Sequence, residues 1–389
     1  MNIFYRNPLV ESLLILQNFS HPQRGYFFYF RTHCLRMQLR FSQLTDLKTT
    51  PAVFLHGNPH IENFAILAKG AGMVDFDRSR LGPYSWDIVR FLCSLALKRT
   101  KKDKNFLSDR VVQYFVEGYQ KGFSAPELPH KPLSDLLKIK KVNWEMPMSE
   151  YLKKNIKWAK KLRQNPLPNN DEWANDVLNA YLKSRNEVSL LEHYQVQEIG
   201  QALGSLGNQR VLITLAPKDN ENSQDHLLLD LKTVYQDPDN ELFRSPVTHH
   251  GERMILASQL YAPELEENMG FFTYQNQQYW GRKVPTQAVK IKGNISDIRQ
   301  TDIAYCVGTQ LGRGHRLSLQ NGYNPDDLLK HLKENLPNLL KIGQQMNEEI
   351  LEAHQHYLKQ ASQQKNIVIP QIITRAKKNI RDNKGVKKK

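Results

Sequence analysis

The chain has 389 residues and a formal net charge of +15, with 40% hydrophobic and 24% charged residues. This composition is ordinary for a globular protein, and the length allows two lobes or domains. Three widely spaced cysteines exclude a disulfide framework, and the lack of a long apolar run excludes a membrane span. Because the N-terminus also lacks the pattern of a secretory signal, we expect a cytoplasmic protein.

The positive charge is concentrated at the C-terminus. Residues 363–389 contain nine Lys or Arg and one Asp, so this basic tail carries +8 of the net charge. A terminal basic run is most often a solvated or disordered end. The alternative is a contact with nucleic acid or an anionic membrane, although the chain has no zinc-finger or aromatic RNA-binding signature to support it.

Residues 1–50 are mixed apolar and basic. Their aromatic run at residues 26–30 leads into a helical pattern around Leu35 and Leu39. Such a run is more often core than site, so we assign it to the core.

Residues 56–64 (His-Gly-Asn-Pro-His-Ile-Glu-Asn-Phe) and 73–77 (Met-Val-Asp-Phe-Asp) carry the strongest chemical signal. A turn rich in His, Gly and Pro ends in the amide of Asn63, and a short strand then presents Asp75 and Asp77 on one face. Asn63 and Asp75 are candidates to share one Mg²⁺, which proteins hold with one or two oxygen side chains, water and nucleotide phosphates. At Asn58 this pattern leads us to expect an acid instead.

A zinc site is the competing interpretation of the same loop. His56 and His60 have the spacing of metal ligands on a helix. Gly57 and Pro59 disfavour a helix there, and no Glu follows His56 as it does in metalloproteases. We therefore set zinc hydrolysis aside.

A buried helix is predicted to begin after the turn at residues 82–85. Ser85 is a suitable N-cap, and Asp87 lies in the first turn, where the helix dipole favours a carboxylate. Residues 125–190 combine several prolines with Lys-rich stretches. We interpret them as a helical connecting insert and not as a site.

Three successive antiparallel strands are predicted at residues 196–199, 210–215 and 227–234. A glycine turn with Gly204, Ser205 and Gly207 separates the first two, and Lys232 lies within the third. Lys232 either faces solvent on an alternating strand or reaches phosphate oxygens beneath the glycine turn, whose backbone N–H groups approach them closely. Together these features match the parts of a kinase nucleotide lobe.

Glu252 opens a predicted helix at residues 251–260 and is the candidate ion-pair partner of Lys232. The alternative is a first-turn acid favoured by the helix dipole alone. Further along, the pattern predicts a strand near residues 279–284 and helices at about 302–317 and 326–360.

These regions resemble an uncharacterised bacterial family, domain of unknown function 2252, which is grouped with the protein-kinase-like and aminoglycoside-phosphotransferase-like folds. The resemblance covers most of the chain. It rests on residues 24–31, 56–64, 75–77, 82–87, 204–207 with Lys232, and 308–315.

The resemblance implies an α+β, protein-kinase-like two-lobe fold with a largely helical C-lobe and a small antiparallel sheet lobe. Because the catalytic loop precedes the glycine turn, the lobes would be circularly permuted, which relocation of chain termini to surface loops allows. The predicted divisions are a catalytic-loop part of the C-lobe (1–124), the connecting insert (125–190), a nucleotide-lobe-like sheet and helix (191–285), a helical C-terminal part (286–362) and the basic tail (363–389).

The resemblance also implies roles for individual residues. Asp87 would brace the catalytic loop through backbone hydrogen bonds. The candidate site residues are Asn63 and Asp75 for Mg²⁺, Gly204, Ser205, Gly207, Lys232 and Glu252 for ATP, and Asn58, His56 and Asp77 for catalysis.

Two departures from the family pattern bear on activity. Asn58 replaces an aspartate that resembles the group accepting the substrate hydroxyl proton, and an amide is a poor base. Ala202 stands where the family tends to have glycine, and its methyl group limits how closely the backbone approaches a phosphate.

Three functions are therefore expected. The first is a kinase-like phosphotransferase, or nucleotidyltransferase, that uses Mg-ATP on an unknown small-molecule or protein acceptor. The second is a pseudokinase that binds a nucleotide or a partner without catalysis. The third is a nucleic-acid-associated module that acts through the basic tail.

Overall fold

The computed structural model describes residues 2–67, 70–98, 106–127, 146–203, 208–219, 225–263, 265–286, 288–291 and 295–385. The chain forms two compact units, one from residues 1–45 and 340–389 and the other from residues 46–339. The helices are Leu13–Phe19 (α1), Gly25–Thr32 (α2), Cys34–Leu44 (α3), Tyr84–Ala96 (α4), Asp109–Ser124 (α5), Met148–Lys153 (α6), Trp158–Leu162 (α7), Glu172–Ser184 (α8), Leu190–His193 (α9), His250–Tyr261 (α10), Asp297–Leu317 (α11) and Pro325–Gly385 (α12), with short 3₁₀ helices at Pro8–Val10 and Ile61–Asn63. The strands are Ala52–Leu55 (β1), Phe64–Leu67 (β2), Gly70–Met73 (β3), Arg80–Pro83 (β4), Pro166–Leu167 (β5), Tyr194–Leu203 (β6), Gln209–Pro217 (β7), Leu227–Thr233 (β8), Glu267–Tyr274 (β9), Gln277–Lys283 (β10) and Val289–Lys290 (β11).

The unit of residues 1–45 and 340–389 has an aromatic core. Tyr29 is fully buried, and its hydroxyl donates to the carbonyl oxygen of Phe4 at 2.6 Å. The ring of Phe19 lies 5.0 Å from that of Tyr29 and 5.3 Å from that of Tyr357. The prediction that residues 26–30 contribute to a core is confirmed, because Phe27, Tyr29 and Phe30 are all buried.

The larger unit contains a six-stranded antiparallel sheet in the order β5-β6-β7-β8-β10-β9. Both faces are covered. Val211 and Ile213 of β7 face α8 in one apolar cluster, whereas Leu212 faces α6 and α7 in another. Because both faces are buried, β8 has a nearly continuous run of leucines instead of a polar and apolar alternation.

Smaller sheets and long helices complete this unit. β2 pairs with β3 and β11, and β1 pairs with β4, in each case antiparallel. Helix α4 follows β4 directly and is almost entirely buried. Its Phe91 ring stacks on Phe115 of α5 at 5.8 Å, and α5 packs along α11.

Most of the predicted elements are present as a mixed fold of helices and small antiparallel sheets. The three predicted strands correspond to β6, β7 and β8, and the predicted helix at residues 251–260 is α10. The three cysteines are buried, and no disulfide joins them. None of the helices in the described ranges has the length and apolarity needed to cross a membrane.

Two local predictions are wrong. Ser85 is not the N-cap of α4, because the helix already begins at Tyr84 and its cap position is Pro83, which has no side-chain acceptor. Asp75 and Asp77 do not lie on a strand either, because β3 ends at Met73. The domain boundaries drawn from the sequence stay predictions.

Candidate functional site

The loop at residues 56–58 is held by the start of α4. Asp87, fully buried in the first turn, accepts the backbone N–H of His56 through Oδ2 at 2.7 Å and that of Gly57 through Oδ1 at 2.9 Å. The indole of Trp86 donates to the carbonyl oxygen of Gly57 at 2.8 Å. These are the backbone hydrogen bonds that were expected of Asp87, and they fix the loop on both sides.

Gly57 is required at its position for two reasons. Its φ of +83° lies in the left-handed region, which side chains rarely adopt. A Cβ atom there would also lie 1.8 Å from the carbonyl oxygen of Arg78. The glycine therefore brings the loop against the segment that follows Asp77.

Asn58 and Asn63 contact each other at the end of this loop. The amide nitrogen of Asn63 donates to the carbonyl oxygen of Asn58 at 3.4 Å. The side-chain oxygen of Asn58 accepts a hydrogen bond from Nε of Arg90 at 2.9 Å, and Arg90 is fully buried. The Asn58 side chain is therefore fixed by a buried guanidinium.

Asp75 adjoins Asn63 because β2 and β3 form a hairpin. Phe64 is paired with Met73, and the next backbone contact is a hydrogen bond from Val74 N–H to the Asn63 carbonyl oxygen at 2.8 Å. Asp75 then adopts φ of +76°, and its side chain is exposed. A non-glycine residue in this region is strained, and such strain is concentrated at ligand sites.

Lys232 is buried on the sheet and paired with a carboxylate. It is only 8% exposed, which contradicts the alternative that it faces solvent on an alternating strand. Its Nζ lies 2.8 Å from Oδ1 and 3.0 Å from Oδ2 of Asp77. The segment after β3 and strand β8 of the sheet are thus joined by a direct ion pair.

Asp75, Asp77 and Lys232 line one cavity of about 360 Å³, whereas Asn58 and Asn63 are not among its described lining residues. Its described walls carry five basic and three acidic side chains, so the cavity favours an anionic ligand. The volume is within the range of small-molecule sites. The lining residues that carry charge or a large ring are Asp75, Asp77, Lys157, Trp158, Lys161, Arg210, Lys232, Glu266, Trp280 and Arg282.

Strand register explains why the basic residues converge. Lys232 of β8 is opposite Arg210 on one side and Trp280 on the other. Asp230, two residues earlier on the same face, is opposite Arg282 and has an oxygen 2.7 Å from Nε of Arg210. Because residues two apart on a strand share a face, this charged row is fixed by the pairing of the sheet.

Glu266 is the most deeply buried acid of the cavity wall. Its side chain is 4% exposed and forms an ion pair with Arg282. Burial raises the pKa of Glu266, against the opposing effect of Arg282 and Lys232. The sequence prediction did not include Glu266, Arg210, Arg282, Trp158 or Lys161.

Two predicted site residues have different surroundings from those expected. Glu252 lies in the first turn of α10 as predicted, but Lys232 pairs with Asp77, and Glu252 is not among the described residues that line the cavity. The ring of His56 is fully buried, 5.0 Å from that of Phe76, and burial lowers the pKa of His56. This placement favours a packing role for His56 over contact with a ligand.

The glycine turn cannot be placed in the same way. Gly204, Ser205 and Gly207 lie outside the described residues. Strand β6 ends at Leu203 before the turn, strand β7 begins at Gln209 after it, and the two strands pair with each other. The role of the turn in nucleotide binding stays a prediction.

A protein-family model matches residues 23–131 and 145–366, and the family is described as an uncharacterized protein conserved in bacteria (DUF2252). The chain belongs to this family. No curated protein and no solved structure matches it significantly. Because the DUF2252 description gives no activity, the function must be argued from the cavity.

Of the two residues predicted to hold Mg²⁺, Asp75 lines the cavity of this DUF2252 protein and Asn63 does not, and the binding of Mg²⁺ with a nucleotide stays a prediction. Within the described ranges, no group of three or more His, Cys, Asp or Glu side chains is suited to hold a metal. Mg²⁺ in a nucleotide complex needs only one or two protein oxygens, since phosphates and water supply the others. Asp75 offers an exposed carboxylate, and Asn63, whose amide nitrogen faces Asn58, offers the amide oxygen.

Proposed function

We propose that this protein is a kinase-like phosphotransferase that binds Mg-ATP in the cavity, with its two lobes in circularly permuted order. The observation that carries the proposal is the ion pair between Lys232 and Asp77. It joins the strand lysine to the segment that follows the loop of residues 56–63, although the two lie 155 positions apart in sequence.

Each residue has a role that follows from its position. Lys232 would contact phosphate oxygens, and Asp77 would hold its ammonium group in place before the nucleotide binds. Asn63 and Asp75 would hold Mg²⁺, which neutralises charge on the phosphates. Asp87 keeps the backbone of residues 56 and 57 fixed, so that Asn58 lies at a constant position.

A second candidate function is nucleotide binding without transfer, and the contact between Asn58 and Arg90 favours it. The Asn58 oxygen accepts from a fully buried guanidinium, and an amide does not remove a proton from a substrate hydroxyl. General-base assistance contributes about 10² to 10⁴ in rate, whereas phosphoryl transfer depends mainly on positioning and charge neutralisation. Slow transfer is therefore compatible with Asn58.

Thermal unfolding with and without Mg-ATP tests nucleotide binding. A ligand present at 100 times its Kd stabilises the folded state by about 2.7 kcal/mol, so the melting temperature should rise when both Mg²⁺ and ATP are present. Lys232→Ala should abolish this rise. Lys283→Ala is the matched control, because Lys283 is an ion-paired strand lysine, partnered by Glu267 at 3.1 Å, outside the cavity lining.

Phosphate transfer separates the two candidates. The phosphotransferase releases phosphate from ATP or transfers it to an acceptor, and the protein without catalysis does neither. If the wild type transfers no phosphate and Asn58→Asp does, the second candidate, nucleotide binding without transfer, is correct. An active wild type that is unchanged by Asn58→Asp would show that position 58 has been assigned the wrong role. Absence of any response to Mg-ATP in the wild type would contradict both candidates.

A further inference from the structure

One wall of the cavity comes from the segment that the sequence suggested was only a connecting insert. Lys157, Trp158 and Lys161, at and just before α7, line the cavity together with Lys232 and Asp77. The insert prediction is therefore incomplete, since part of this segment faces the candidate site.

Helix α7 is fixed closely against the first long strand of the sheet. A Cβ atom at Gly200 of β6 would lie 1.8 Å from the carbonyl oxygen of Leu162, so only glycine allows this approach. The N–H of Gln201 donates to the carbonyl oxygen of Asn165 at 2.9 Å, just beyond the helix. Lys161 Nζ itself donates to the carbonyl oxygen of Leu203 at 3.1 Å. The ammonium group is thus held at the end of β6.

Lys161 differs in its partners from Arg210, Lys232 and Arg282, three of the other cations of the cavity. Arg210 is paired with Asp230, Lys232 with Asp77, and Arg282 with Glu266. No carboxylate of the described chain forms an ion pair with Lys161, whose polar contact is a backbone carbonyl. An ammonium group has three donors, so two remain for a ligand.

Like charges are also brought together around Trp158. Lys161 Nζ lies 5.4 Å from the ring centroid of this indole, and Cζ of Arg210 lies 5.0 Å from it. Burial, followed by the charge of Arg210, lowers the pKa of Lys161. An anion beside these two cations would relieve their repulsion, because opposite charges at short range favour the charged forms.

We propose that Lys161, together with Arg210, binds the phosphate chain of the nucleotide, so that α7 is part of the binding site. This inference rests on the proposed function and deepens it, because it adds a second phosphate-binding lysine beside Lys232. The ligand chemistry is that of a polyphosphate, which carries several negative charges along one chain.

The test is isothermal titration of the full chain with two probes, Mg-ATP and inorganic tripolyphosphate. Lys161→Gln removes the charge but keeps an N–H donor for Leu203. Lys160→Gln is the matched control, because Lys160 is the adjacent lysine of the same helix, is exposed and does not line the cavity. Lys161→Arg restores the charge.

Loss of one charge-assisted contact should weaken binding of both probes about tenfold or more in Lys161→Gln. Lys160→Gln and Lys161→Arg should stay close to the wild type. Binding of Mg-ATP to the wild type should also change tryptophan fluorescence, and Trp158→Phe should reduce that change, since Trp158 and Trp280 both line the cavity. Retention of this Trp158 signal in Lys161→Gln at saturating Mg-ATP would confirm that the variant is folded.

The outcomes separate this inference from the proposed function. If Lys161→Gln binds Mg-ATP as tightly as the wild type, the role of Lys161 is refuted while the proposed function stands. If the wild type binds tripolyphosphate in a Lys161-dependent way but does not bind ATP, the phosphate contact is supported and the nucleotide assignment fails. If the wild type binds neither probe, both proposals are refuted.

Discussion

Replacement of Asp87 by Asn tests how the loop at residues 56–58 is held. The two oxygens of Asp87 accept from two buried N–H groups at 2.7 and 2.9 Å. An amide has one oxygen and one NH₂ group, so one of these N–H groups would face another donor. A hydrogen bond to a charged group contributes about 1.5–3 kcal/mol, and a neutral one about 0.5–1.5 kcal/mol.

Asp87→Asn should therefore lower the free energy of unfolding by about 3 kcal/mol, from the loss of one charged bond and the weakening of the other. Asp109→Asn is the matched control, because Asp109 is also a first-turn aspartate but is exposed. Its interaction with the helix dipole is worth only about 0.3–1 kcal/mol. The difference between the two variants isolates the contribution of the buried hydrogen bonds.

Urea unfolding followed by tryptophan fluorescence measures this difference. All five tryptophans fall in the sequence of the unit of residues 46–339, so the signal reports on the unit that contains Asp87. With a slope of about 3 kcal/mol per molar urea, the midpoint should fall by about 1 M in Asp87→Asn. Amide hydrogen exchange at His56 and Gly57 should accelerate in parallel. A midpoint shift no larger than that of Asp109→Asn would refute the bracing role.

Three further outcomes are expected. Asp77→Asn should lower the free energy of unfolding by about 3 kcal/mol in the same urea assay, because it leaves the largely buried ammonium group of Lys232 without its carboxylate partner. An unchanged midpoint would show that the ion pair is not formed. His56 has a lowered pKa in the folded state, so below about pH 6.5 the unfolded state takes up a proton that the folded state does not, and the free energy of unfolding decreases as the pH is lowered. His56→Phe should reduce this dependence between pH 6.5 and 5 by up to about 1.4 kcal/mol per pH unit. Equal slopes in the variant and the wild type would contradict the burial of a neutral ring. Gly200→Ala should weaken tripolyphosphate binding in a titration although it removes no charge, because the added methyl group displaces Leu162 and with it α7. An affinity equal to that of the wild type would mean that the position of α7 does not affect tripolyphosphate binding.

The proximity of two candidate site residues was predictable where residue types and spacing are specific. The pattern of residues 56–64 and 75–77 predicted that Asn63 and Asp75 lie close together, and the hairpin of β2 and β3 provides the reason. The three successive strands were also visible, because turn residues separate apolar runs. The family resemblance implied that Asp87 holds the loop through backbone hydrogen bonds, and in the structure Asp87 accepts two such bonds, from His56 and Gly57.

The partners of the charged residues were not predictable from local pattern. Glu252 was chosen for Lys232 because it opens the next helix, whereas the real partner, Asp77, lies 155 positions away in sequence. The separation of two residues in sequence does not show whether they form an ion pair in the folded chain. The end of β3 was missed because Asp75 has a left-handed backbone, which the alternation of side chains does not reveal.

The contribution of α7 was missed for a different reason. Lys161 is one of several lysines in a Lys-rich stretch, and nothing in its immediate sequence distinguishes it from Lys160. Its position depends on Gly200, which allows the helix to pack closely against β6, and on the carbonyl oxygen of Leu203. Only Trp158, a large ring among polar residues, offered a local signal.

A crystal structure of the full chain with Mg²⁺ and a non-hydrolysable ATP analogue would show whether the nucleotide binds in the cavity. We expect a phosphate oxygen within hydrogen-bond distance of Lys232 Nζ, and a Mg²⁺ with an Asp75 oxygen at about 2.0–2.1 Å. A nucleotide bound at another place, or a cavity that stays empty at saturating Mg-nucleotide while Lys232 remains paired with Asp77, would contradict this expectation.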